Sequence, residues 1–127
     1  MAEVKDSLLQ WDDDEKTIIR IRWQGAWSWD VYYEFHERVF EMMRSVDHPV
    51  YLIYDVSQIT DVGEGAMTHF RNMAKRFPDN LAGQVVVGPN EFLKAIGQMY
   101  NQMMPEEAER LQLFTSVEDA HAALKAN

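Results

Sequence analysis

Two short apolar runs constrain this chain more than any other feature: Val50-Tyr51-Leu52-Ile53-Tyr54 and Gln84-Val85-Val86-Val87. Runs of this length with no alternation fit strands covered on both faces, the pattern of a parallel sheet sandwiched by helices. Amphipathic helical stretches lie around them. Val31, Phe35, Val39, Met42 and Val46 fall at helical spacing before the first run. Met67, Phe70, Met73, Ala74 and Phe77 do so between the two, and Phe92, Ile96, Met99 and Met103 after the second. Upstream, Ile19, Ile21 and Trp23 alternate with Arg20 and Arg22, a period of two that predicts a strand over 17–23. The segment 4–11 pairs with it as a hairpin whose turn is Asp12-Asp13-Asp14-Glu15, read as a solvated tip. Leu111 to Phe114 reads as a last strand and 116–124 as a last helix.

The predicted order is ββαβαβαβα: an α/β fold, one domain over 1–127, with a mixed, mostly parallel sheet of about five strands and about four helices. Ser28, Asn90 and Ser116 are expected helix caps, and Asp61 with Glu64 forms a capping box for the second helix.

Charge narrows the partners. With 12 basic residues against 21 acidic ones and a net charge of −9, the chain lacks the cations that displace counterions from phosphates, so no nucleic acid is expected. No apolar run approaches the ~20 residues of a membrane span, so no membrane insertion is expected. The N-terminal ten residues carry Glu3, Lys5 and Asp6 and do not read as a signal peptide. The absence of cysteine fits a cytoplasmic protein without disulfides or thiolate metal sites.

Element order and length together resemble the SpoIIAA-like (STAS-like) domains, relatives of the anti-anti-sigma factors. The run Tyr51 to Ser57, ending Asp55-Val56-Ser57, looks like the third strand of that fold, and Gln84 to Gly88 looks like the next. The resemblance implies a regulatory domain that binds a protein partner where a strand end meets a helix N-terminus. In phosphoregulated members that turn carries Asp-Ser-Ser-Gly. Here the matching stretch is Asp61-Val62-Gly63-Glu64-Gly65-Ala66. Counted from Asp55 without gaps, the serine positions fall on Glu64 and Gly65; shifted by two, they fall on Val62 and Gly63. Neither register supplies a serine. In the first, Glu64 stands as a fixed negative charge where relatives gain one by phosphorylation. The partner-binding residues so implied are Asp55, Ser57, Thr60, Asp61, Gly63, Glu64 and Gly65.

Catalytic patterns are weak. Ser57 and Thr60 follow a strand, yet no Gly-x-Ser-x-Gly elbow or glycine-rich phosphate loop appears. His36, His48, His69 and His121 lack the spacing of a helical metal motif. His36 and His69 read as polar-face residues of their helices. No enzyme activity, metal or cofactor is expected. Trp11 and Trp23 are placed to meet across the hairpin, and Trp27 and Trp29 flank a helix start. This aromatic content is compatible with a homodimer. Eight methionines, seven of them (Met42, Met43, Met67, Met73, Met99, Met103 and Met104) on predicted helices, give a second reading. That alternative is a carrier of a small apolar ligand or lipid in a Met-lined cleft of ~300 Å³ or more.

Overall fold

The structure, a computed structural model, describes residues 9–24, 28–59, 62–104, 106 and 110–125. The hairpin β1 (Leu9–Trp11) and β2 (Ile18–Arg22) leads into α1 (Trp29–Arg44), β3 (Val50–Asp55) and α2 (Ala66–Ala74). Then follow β4 (Leu81–Val87), α3 (Glu91–Met103), β5 (Leu111–Phe114) and α4 (Val117–Lys125). This is the α/β order expected from the sequence. The part of the first strand expected over residues 4–8 lies outside the described residues, as does Trp27.

The sheet runs β1-β2-β3-β4-β5, antiparallel only between β1 and β2. Each parallel strand is thus added on the same side of the one before. Right-handed crossovers that all step in one direction deliver their helices to one face. Accordingly α1, α2 and α3 share a core with Ile19, Ile21, Leu52 and Tyr54. On the opposite face α4 lays Ala120 and Leu124 over Ile18, Ile53, Val85 and Val87. The two apolar runs are covered on both sides, as their lack of alternation requires.

The hairpin tip differs from the solvated turn expected. Asp13 accepts from the backbone N–H groups of Thr17 (2.9 Å) and Ile18 (3.1 Å), an Asx-type brace. Asp12 lies 3.3 Å from Arg20 and 2.7 Å from His121 Nε2, which ties the hairpin to α4. Trp11 sits opposite Ile19, so it does not face Trp23 across the hairpin.

Two helices are rotated about one residue from the expected stripes. The buried face of α1 is Tyr32, Phe35, His36, Val39, Phe40 and Met43, with Val31, Met42 and Val46 at its margins. In α3 the inward residues are Leu93, Ile96, Gly97 and Tyr100, leaving Phe92, Met99 and Met103 exposed. Asn90 caps α3 by accepting from Leu93 N–H at 2.8 Å, and Ser116 Oγ accepts from Asp119 N–H at 3.1 Å. Ser28 occupies the N-cap of α1 without a side-chain bond.

Candidate functional site

The segment expected to bind a partner is largely occupied with holding its own backbone. Asp55 Oδ1 accepts from Ser57 N–H (3.1 Å) and Ser57 Oγ (2.7 Å), and Oδ2 lies 3.8 Å from Arg22 Nε. The carboxylate shapes the loop after β3, and the Ser57 hydroxyl points to it rather than to a histidine. Gly88 presses on this loop: a Cβ there would stand 2.9 Å from Ser57 Cβ, and its φ of +73° suits glycine. Thr60 and Asp61 lie outside the described residues.

The expected capping box is replaced by another device. α2 starts at Ala66, with Gly65 at the N-cap (φ +77°) and no side-chain cap. Gly63 (φ +70°) and Gly65 let the chain turn tightly beneath Trp29, whose indole N–H donates to the Glu64 carbonyl at 3.0 Å. The indole also stacks on His69 at 4.1 Å, and His69 Nδ1 meets the Tyr33 hydroxyl at 2.8 Å. Gly63, Glu64 and Gly65 remain exposed at the surface of this corner.

Deeper, the structure holds something the sequence did not announce. Between the sheet and α1–α3 lies a cavity of about 100 Å³, lined almost wholly by apolar atoms. Trp23, Tyr32, Phe70 and Tyr100 supply its rings, while Val56, Val62 and Val86 come from the strands and the loop after β3. Met73 is its one methionine. Its volume is a third of the ~300 Å³ expected of a carrier of larger ligands. Met43 and Met104 are buried elsewhere, and Met99 and Met103 face outward.

His36 from α1, Tyr54 from β3 and Gln84 from β4 also line this cavity, each buried. His36 Nδ1 is 2.9 Å from the Tyr32 carbonyl, which can only accept, so Nδ1 carries the ring proton. Burial, with Arg76 adding to it, lowers His36 to about 4, and the ring is neutral at pH 7. Its Nε2 lone pair faces the Tyr54 hydroxyl at 3.2 Å. That hydroxyl also lies 2.9 Å from Gln84 Oε1. Burial, reinforced by neighbouring tyrosines, pushes Tyr32 and Tyr54 well above the usual phenol value, so both keep their protons. The arrangement is an uncharged network at the wall of an aromatic chamber.

Sequence reasoning placed His36 on a polar face and passed over Gln84. One signal was available. The stripe 32-35-36-39-40-43 also has helical spacing and carries three aromatic rings, so His36 at its centre had to be a buried, partnered group. Gln84 is likewise a polar residue heading an otherwise apolar strand core.

Among the described residues, no group of three or more acidic or imidazole side chains is placed to hold a metal ion, and no helix is long and apolar enough to cross a membrane. No family model, curated protein or solved structure matches the chain significantly.

Proposed function

We propose that this is a non-catalytic cytoplasmic binding domain that takes one small, uncharged, mainly apolar molecule into the chamber between the sheet and α1–α3. The observation that carries this reading is a cavity of about 100 Å³ whose wall holds a buried neutral network of His36, Tyr54 and Gln84. Cavities near 150 Å³ lined by apolar side chains take up benzene, so the ligand is of single-ring size or smaller. The topology favours the same place. Open α/β sheets bind ligands at strand ends where the strand order reverses, and here the order never reverses.

Toluene is the test ligand. A molecule that binds only the folded state stabilises it by mass action. Excess toluene is expected to raise the thermal midpoint by several degrees. Val86→Phe, which puts a ring into the chamber, is expected to stay folded and lose the shift. An unchanged midpoint with toluene contradicts the reading.

The resemblance to SpoIIAA-like domains supports a second reading: a regulatory or scaffolding role, with a protein partner or a second copy of the chain at the 55–65 corner. It draws on the exposure of Gly63, Glu64 and Gly65 there. Equal partner affinity for the native chain, Glu64→Ser and Glu64→Gln removes the fixed-charge form of that idea.

A further inference from the structure

The outer sides of α1 and α3 differ in kind. That of α1 is charged, with Asp30, Glu34, Glu37, Arg38 and Glu41 exposed. On α3, Phe92, Met99 and Met103 are exposed by 49%, 54% and 40%, and they are the large apolar side chains so exposed among the described residues. Seven and eleven residues on, Met99 and Met103 lie within about 20° of Phe92 around the helix, with the exposed Ala95 beside them. Glu91 and Lys94 answer each other at 3.2 Å, and no charged residue follows as far as Met103. The stripe is separate from the chamber, which α3 lines through Leu93, Ile96, Gly97 and Tyr100.

Charge decides what such a face can meet. A basic partner is recognised through acidic side chains, and the stripe offers none beyond Glu91, which Lys94 holds. Nucleic acid and anionic membranes are repelled by a chain of net charge −9. A second copy, equally acidic, can approach only where its own charge is least, and α3 beyond Lys94 is such a place. The stripe also fits itself. In an antiparallel pair of α3 helices, with the two-fold axis level with residues 97 and 98, Phe92 of each copy meets Met103 of the other, a ring against a flexible thioether. Met99 then meets the small Ala95, and the opposed helix dipoles favour the same direction. With 13 residues the contact is about 20 Å long and 10 Å wide. That is far less than the ~800 Å² each partner buries in a standard interface, so the pair is weak and reversible. We propose that the stripe is a self-association surface: two copies of the chain pair antiparallel through α3, with a dissociation constant on the order of 10–100 μM.

Sedimentation equilibrium at pH 7, over ~1 μM to ~1 mM protein, measures this, and the native chain is expected to pass from monomer to dimer across the range. The contact is uncharged and the net charges repel, so raising NaCl from ~20 mM to ~0.5 M is expected to tighten the dimer about fivefold. Phe92→Lys and Met103→Glu are each expected to weaken it at least about tenfold. Mixed in equal amounts the two variants recover it, because Lys then faces Glu at one contact and Phe faces Met at the other. Both positions are exposed, so at ~1 μM the variants keep the native thermal midpoint, which shows that they are folded. A native chain that stays monomeric at the highest concentration overturns the proposal. So does a dimer that loosens with salt, a dimer that both variants leave intact, or a mixture that does not recover it. Binding of a monomeric native chain to neutral phosphatidylcholine vesicles, lost in Phe92→Lys, overturns it as well and assigns the stripe to a lipid surface.

Discussion

Phe40→Ala is expected to lose about 3–5 kcal/mol of unfolding free energy, whereas Phe92→Ala changes it by less than about 0.5 kcal/mol. Both are phenylalanines on amphipathic helices, and the sequence pattern placed Phe92, not Phe40, on a core stripe. Phe40 is 1% exposed, and its ring packs edge-on against Phe77 at 5.2 Å, beside His36. Truncation there loses buried area and leaves a void that the rigid α1–sheet contact cannot close. Phe92 is 49% exposed on the outer side of α3. Urea unfolding of both variants checks the pair. Similar losses at the two positions would mean that the helix faces are not those described.

The second large effect is an acid lability that belongs to one side chain. His36 is held at about 4 by burial first, with Arg76 acting in the same direction against the Tyr32 carbonyl. In the unfolded chain it titrates near 6.5. Between these values the unfolded state binds a proton that the folded state refuses, so stability rises with pH there. The contribution is complete above about pH 6.5. It is lost progressively as pH falls, and the loss levels off below about pH 4, at roughly 3 kcal/mol. His36→Leu removes it. Contributions common to both proteins cancel in the difference. Urea midpoints from about pH 7 to about pH 4 are therefore expected to converge on acidification, with the native chain losing roughly 3 kcal/mol more than His36→Leu. Parallel curves would contradict a buried neutral imidazole.

Much of the architecture was legible because it rests on local signals. Ile19 and Ile21 alternate with Arg20, and the strand they mark is β2. The last strand is Leu111–Phe114 as read, because turn-forming and polar residues bound it. Asn90 and Ser116 cap the helices they precede, since a cap needs only its neighbours. The helix faces were harder. In α1 two stripes compete, and choosing between them depends on whether His36 finds partners. Those partners are the hydroxyl of Tyr54 and, beyond it, Gln84, 18 and 48 positions away in the chain. The start of α2 was misplaced because Asp61 and Glu64 fit a capping box, while the two left-handed glycines under Trp29 set the turn instead. A chamber is a property of packed volumes from six elements and has no local signature.

The same distinction explains the change of emphasis in function. The corner at 55–65 stood out because its residue types are those of known binding turns. Its Asp55, Ser57 and Trp29 are engaged with the backbone around them. The buried polar network lies inside, on His36, which reads as a polar-face residue, and on Tyr54 and Gln84 within the two strand runs.

A nitrogen–proton NMR spectrum titrated with phenol tests the central claim most directly. The chamber account expects shifts that saturate at one site, centred on the Trp23 indole, just past β2, and the Gln84 side-chain amide on β4, both of which line the cavity. The Phe92–Met103 outer face of α3 and the Glu64 corner should be little changed. No saturable shift at Trp23 and Gln84, or shifts gathered on the Gly63–Gly65 turn instead, would contradict it.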